Sequence, residues 1–306
     1  MAPVAKDLQD AKAETLMWSL DGALRYLPMA ALHDGDQYLI ERYRSVVFTP
    51  ASQARLKDRP SAQWKGLGLG VSQAHEDFLA LPAVVDELSG IIREEGKNNT
   101  GGVLPGTIKL DAAFTAETML AALHQRYPVV HIASHFLFHP GNETTSFLLL
   151  GDGSHLSLSQ IKTLPNVFGG VDLLTLSACD TATGGAGGDG KEVEGFGVLA
   201  QRQGAKAVLT SLWSVADEST KALMQTFYRL RETHTGMAKA EALRQAQLAL
   251  LRGETQTAKS PGTQRAARLL DHKGETQTQP YFTRDPQAPY AHPYYWAPFI
   301  LIGNWL

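Results

Sequence analysis

Short apolar runs alternate with stretches of helical period along most of this chain, and that alternation limits the fold more than any other feature. Leu67 to Val71, Thr107 to Leu110, Val129 to Ala133, Asp172 to Ser177, Lys206 to Ser211 and Phe299 to Ile302 read as strands. Between the first two, Leu81, Val84, Val85, Leu88, Ile91 and Ile92 recur at helical spacing, with Pro82 suited to a first turn. Phe114 to Gln125 predicts a helix stopped before Pro128, and a further helix runs from Glu192 to a stop at Gly204. Asp217 to Arg231 and Met237 to Leu251 predict two long helices. Such alternation implies a mostly parallel sheet of about six strands covered on both faces. Active groups in such sheets gather at the carboxyl ends of the strands.

Three regions depart from the pattern. Residues 1–17 are polar and Ala-rich and read as a leader, or as the stump of an upstream region, with the domain proper spanning 18–306. From Trp18 to Pro50, Leu24–Leu27 and Tyr38–Tyr43 flank Asp34-Gly35, which predicts an N-terminal β-hairpin; Gly151-Asp152-Gly153 predicts another between Phe147–Leu150 and Leu156–Leu158. Residues 253–291 are rich in Gln, Thr and Pro, repeat Gly-Glu-Thr-Gln-Thr at Gly253 and Gly274, and carry Arg265, Arg268, Lys273 and Arg284. That stretch reads as a mobile insertion.

Composition enters by exclusion. The 28 Lys and Arg against 31 Asp and Glu leave a net charge of −3, without the basic footprint of a nucleic-acid binder. No run approaches the roughly 18 apolar residues of a membrane span, and the N-terminus lacks a secretion signal. Cys179 is the only cysteine, which excludes an internal disulfide and fits a reducing, cytoplasmic setting.

Two strands end in reactive side chains. Val129-Val130-His131-Ile132-Ala133-Ser134-His135 and Leu174-Thr175-Leu176-Ser177-Ala178-Cys179 each run from an apolar strand into an imidazole or a thiol, 44 residues apart. That interval accommodates a crossover, which sets the two strand ends side by side in a parallel sheet and allows an attack pair. Taken singly, each residue reads more often as a buried core side chain than as a catalytic one. His131, His135, His139 and His155 suggest a zinc hydrolase as another reading, although no H-E-x-x-H arrangement accompanies them. Gly185 to Lys191 imitates a phosphate-binding loop, but Glu192 stands where a magnesium-ligating Ser or Thr belongs and Asp189 adds negative charge. Gly66-Leu67-Gly68-Leu69-Gly70 has glycine spacing without the context of a dinucleotide fingerprint.

The ordered segments Asp21-Gly22-Ala23-Leu24-Arg25-Tyr26-Leu27-Pro28, His135 followed by Ser146-Phe147-Leu148-Leu149-Leu150, Leu176-Ser177-Ala178-Cys179-Asp180-Thr181, Ser211-Leu212-Trp213-Ser214-Val215-Ala216-Asp217 and His292-Pro293-Tyr294-Tyr295-Trp296-Ala297-Pro298-Phe299 resemble those of the CHAT domain. This is the caspase-like cysteine peptidase module often found after tetratricopeptide repeats. The resemblance runs from Trp18 to Leu306. It implies a caspase-like three-layer α/β/α sandwich and a dyad of His135 and Cys179, with no cofactor. It implies cleavage of one or a few protein substrates, government by a sensor or repeat partner, and, by analogy, an effector of the bacterial gasdermin kind as substrate in defence or programmed cell death. No direct nucleic-acid or membrane partner is expected.

The family commonly carries Gly after the catalytic His, where its N–H helps bind the oxyanion; here Phe136 stands there, and the N–H of Cys179 is the other expected donor. Separase-like relatives read a substrate Arg with an Asp four residues after a Trp. Asp217 stands four after Trp213, a position that also reads as a helix N-cap, and Asp180 is a second acidic candidate. An acidic pocket favours Arg or Lys before the cut, which would make Arg268 or Arg284 a site of self-processing. The competing reading is a scaffold that kept the fold and lost turnover, with the bulk of Phe136 as the cause.

Overall fold

The computed structural model of the chain describes residues 2–96, 101–137, 139, 142–177, 191–213, 215, 217–234, 236–254 and 285–306. Helix α1 (Ala5–Asp10) precedes β1 (Thr15–Trp18), and α2 (Leu39–Arg42) leads into β2 (Arg44–Val47). Then come β3 (Gly66–Gly70), α3 (Ala83–Ile91), β4 (Ile92–Glu94), β5 (Leu104–Leu110), α4 (Ala116–Leu123) and β6 (Val129–Ala133). An antiparallel meander of β7 (Phe136–Leu137), β8 (Phe147–Leu149) and β9 (His155–Ser157) runs into α5 (Leu158–Thr163). The remainder is β10 (Leu173–Ser177), α6 (Lys191–Arg202), β11 (Ala207–Ser211), α7 (Asp217–Thr233), α8 (Lys239–Arg252), α9 (Pro293–Trp296) and β12 (Phe299–Gly303).

Among the described residues one nine-stranded sheet runs in the order β1-β2-β12-β11-β10-β6-β3-β5-β4. Every neighbouring pair is parallel except β11 with β12. Side chains alternate across a strand, so the apolar runs feed two cores at once. Val129, Leu173, Ala207, Leu209 and Leu301 belong to a core with Leu223, Phe227 and Leu243 of α7 and α8. Val130, Ile132, Leu174, Leu176, Val208 and Ile302 belong to another with Met119, Ile161, Phe196 and Ala200 of α4, α5 and α6. Each Val, Leu, Ile, Phe or Met among them taken out of water contributes about 1.5–3 kcal/mol, and two filled faces make the three layers expected. The expected stop of α6 is made by Gly204, whose φ of +109° costs a glycine little and most other residues a good deal.

The sheet is wider than the expected six strands because β4, β1 and β2 extend its two edges. β4 begins directly where α3 ends, so helix and strand share one apolar run; β1 takes in Thr15 to Met17 from the stretch read as a leader.

The N-terminal hairpin is reduced to an isolated antiparallel bridge between His33 and Tyr38, and the expectation of strands at Leu24–Leu27 and Tyr38–Tyr43 is corrected. Asp34 does make a turn, its Oδ1 accepting from the N–H groups of Asp36 and Gln37, both at 3.0 Å. The flanks, however, are a 3-10 turn over Gly22–Tyr26 and the helical turn of α2. A strand would send the neighbours Leu39 and Ile40 to opposite faces; a helical turn buries both, and the Glu41 carboxylate closes it by accepting from the Tyr38 N–H at 2.7 Å. The second expected hairpin, β8–β9, is present.

Candidate active site

His135 and the chain leading to Cys179 leave adjacent strands at the same level. β6 pairs with β10 in parallel, with Ala133 opposite Ser177. His135 follows Ala133 by two residues, and Cys179 follows Ser177 by two in the sequence. Cys179 and Asp180 themselves lie outside the described residues, as do Gly184 to Gly190 and, from the insertion, Arg265, Arg268, Lys273 and Arg284.

The His135 ring is tightly held. It is 8% exposed, lies against Phe78 with ring centroids 5.1 Å apart, and its Nε2 is 2.8 Å from the carbonyl oxygen of Leu79. A carbonyl only accepts, so Nε2 carries the proton and donates; in the neutral ring Nδ1 is then the basic nitrogen. The loop that supplies this carbonyl is fastened on both sides. The Val71 N–H donates to Ala133 O at 3.0 Å, and the Asp111 carboxylate accepts from Ser72 N–H at 2.6 Å and Ser72 Oγ at 2.7 Å. On the other side of His135, its carbonyl accepts from the Leu149 N–H at 2.9 Å, while Ser134 Oγ donates to Leu149 O at 2.7 Å. The orienting carbonyl went unseen in the sequence because a backbone group leaves no mark on residue type.

The Phe136 side chain packs into the core. It is buried, edge-to-face on Phe196 of α6 at 5.1 Å. The bond from Leu149 N–H to His135 O makes residues 135 and 149 a hydrogen-bonded pair. The next pair, Phe136 with Leu148, is therefore of the non-bonded kind, and the Phe136 N–H is turned away from β8. Restoring the family's residue with Phe136→Gly is expected to cost about 3–5 kcal/mol of stability, as for other deletions of a buried Phe. Activity per folded molecule should stay within about threefold, because the N–H remains. Chemical denaturation beside a rate assay checks both; a large gain in rate would restore the obstruction reading.

Asp217 is the first residue of α7 and its side chain lies outside the described set. α7 follows β11, which borders β10 on the side away from β6. The Trp213 indole N–H donates to Tyr294 O at 3.1 Å.

The four histidines of the zinc reading do not converge. His131 is fully buried between Glu87 and Tyr228, His139 is exposed with Nδ1 3.1 Å from Thr145 O, and His155 stacks on Phe147 at 3.7 Å. Among the described residues no group of three His, Cys, Asp or Glu is arranged to hold a metal. The glycines of Gly66 to Gly70 serve packing: a Cβ on Gly68 would lie 2.9 Å from Ile92 Cδ1 and 3.2 Å from Leu88 Cδ2. None of the helices among the described residues is long and apolar enough to cross a membrane.

Comparison with known proteins agrees with this architecture. The family model described as CHAT domain matches residues 1–304. Among solved structures, the Arg-specific cysteine proteinase gingipain R superposes with a TM-score of 0.53 at 10% identity, covering 99% of this chain. The chain spans 65% of that structure's chain, less than two thirds of its length. At such low identity the likeness shows the fold alone. No curated protein sequence matches.

Proposed function

The chain belongs to the CHAT domain family, a caspase-like cysteine peptidase family, and from that premise we propose that it is an endopeptidase cutting one or a few proteins after a basic residue. The reading rests on one observation above all: two parallel neighbouring strands, level at Ala133 and Ser177, lead to His135 and Cys179 at equal distance in sequence.

In this reading the Cys179 thiolate attacks the scissile carbonyl carbon and the oxyanion is held by the N–H groups of Phe136 and Cys179. His135, its Nε2 proton engaged by Leu79 O, works through Nδ1. It takes the thiol proton, gives it to the leaving amine as the thioester forms, then accepts a proton from the water that hydrolyses the thioester. Asp217, with Asp180, receives the basic side chain by charge-assisted pairing. The Arg specificity in the name of gingipain R is consistent with that preference. A sensor or repeat partner governs turnover, and a gasdermin-like effector is the candidate natural substrate, both on family analogy.

A fluorogenic peptide library varied at the residue before the cut, run with wild type and Cys179→Ala, tests the proposal. Turnover limited to Arg or Lys peptides and lost in the variant is expected. Turnover elsewhere removes Asp217 from its role and keeps the peptidase; turnover that survives in Cys179→Ala overturns the peptidase itself.

A further inference from the structure

Beneath the two strands that lead to the dyad runs a chain of polar groups that the reaction as described does not use. Thr175 Oγ1 lies 2.7 Å from the Tyr228 hydroxyl, which lies 3.2 Å from His131 Nδ1, and His131 Nε2 lies 2.9 Å from Glu87 Oε1. His131, Thr175 and Tyr228 are all fully buried, and the Glu87 side chain is 9% exposed. The four residues come from four elements: β10, α7, β6 and α3.

With the His131 ring neutral, the protons can be assigned throughout. The Glu87 carboxylate only accepts, so His131 Nε2 donates to it and the neutral ring's Nδ1 accepts from the Tyr228 O–H. The Tyr228 oxygen then accepts from the Thr175 O–H. Every link runs in one direction and ends on the carboxylate. Burial pushes the Tyr228 hydroxyl well above its ordinary range, which keeps it a donor.

A core does not need this arrangement to be filled, since apolar side chains of similar volume would pack with less penalty. Its value lies in register. Val129-Val130-His131-Ile132-Ala133 and Leu173-Leu174-Thr175-Leu176-Ser177 are apolar on both faces, so a slip by one residue would still bury apolar groups on each side. Among the fully buried paired residues, His131 and Thr175 are the polar ones that resist it. They stand directly opposite one another in the pairing, and a slip would carry the polar group of either strand away from Tyr228. They also precede His135 and Cys179 by the same four residues in the sequence.

We propose that Glu87, His131, Tyr228 and Thr175 are positioning residues that fix the register of β6 against β10 and so hold His135 level with Cys179. Glu87 adds a second restraint. It lies on α3, the helix that follows the loop whose Leu79 carbonyl orients His135, and it ties that helix to β6. This inference rests on the peptidase reading above.

The test compares wild type with Tyr228→Phe, Thr175→Val and Thr175→Ser. Two quantities are read: kcat and KM on the best library peptide, and the pH dependence of Cys179 alkylation by iodoacetamide, unambiguous because the chain has one cysteine. Tyr228→Phe and Thr175→Val are expected to lower kcat about 10–100-fold with KM nearly unchanged, the range set by misplacement of reacting groups by an ångström or less. The thiol's apparent pKa should rise toward that of a free cysteine, and Thr175→Ser should behave as wild type. If Tyr228→Phe fails to fold, the Val and Ser pair at Thr175, close in volume, decides alone. A wild-type thiol of lowered pKa that both disruptive variants leave unchanged, together with kcat, overturns the inference and spares the peptidase reading. Equal losses in Thr175→Ser and Thr175→Val overturn it also, since the hydroxyl would then not matter. An ordinary thiol pKa in wild type, with no turnover, overturns the reading and the inference with it.

Discussion

Alanine at His135 is expected to lower kcat by about 10⁴–10⁶, alanine at Cys179 by a similar factor, and the double substitution by no more than either alone. Groups that act as one unit lose their whole contribution when either is removed, because a thiol without its base is mostly unreactive and a base without its nucleophile has nothing to activate. The ring of His135 is already held at Nε2 by Leu79 O, which in the proposed mechanism leaves Nδ1 for the proton work. Leu79 provides the control. Its side chain is 73% exposed while its carbonyl does the orienting, so Leu79→Ala should change kcat by less than about threefold. Rates on a single good peptide, with circular dichroism to confirm folding, measure all four variants. Losses that multiply in the double variant would show two independent contributions and sink the dyad; a large effect at Leu79 would mean that the carbonyl is not what positions the ring.

That contrast also marks where sequence reasoning stopped. Strand identity was legible because side chains alternate: Val129 with Val130 and Leu173 with Leu174 announce strands buried on both faces, and the two cores they enter are on opposite sides of the sheet. His135 was legible as a reactive group at a strand end. The Leu79 carbonyl was not, since any residue but one of wrong backbone shape could supply it. Tyr228 was hidden for a different reason. On α7 it occupies a core position beside Phe227, and nothing in a helical pattern separates a Tyr that packs from a Tyr that bridges two strands. The N-terminal hairpin failed because Asp34-Gly35 specifies a turn and says nothing of what flanks it; the adjacent burial of Leu39 and Ile40 decided for helix. Phe136 is read by its volume in the sequence, and in the fold that volume lies against Phe196.

Substitution of Gly106 by Ala is expected to destabilise the protein by more than about 4 kcal/mol, the range reserved for changes the fold cannot absorb. Gly106 of β5 pairs with Gly66 of β3, and a Cβ placed on it would run into the Gly66 carbonyl oxygen. That obstacle is backbone within a hydrogen-bonded ladder, so relief requires the two strands to part. Gly68, two residues along β3 from Gly66, makes the comparison. A Cβ there meets side chains alone, the ends of Ile92 and Leu88 at 2.9 and 3.2 Å and Ile108 at 3.5 Å, and the first two can rotate aside at the roughly 1–3 kcal/mol typical of overpacking. Gly22 sets the lower bound: nothing lies within 4 Å of its Cβ position, and only its φ of +53° is unfavourable, costing an alanine about 1–2 kcal/mol. Denaturant midpoints should therefore fall in the order Gly22→Ala, Gly68→Ala, Gly106→Ala, with activity failing at the last. β3 leads to the loop that carries Leu79 and borders β6, so parting β3 from β5 moves the frame that orients His135. A Gly106→Ala protein as stable as Gly68→Ala would mean that β5 can shift without cost, and that this edge of the sheet does not brace the site.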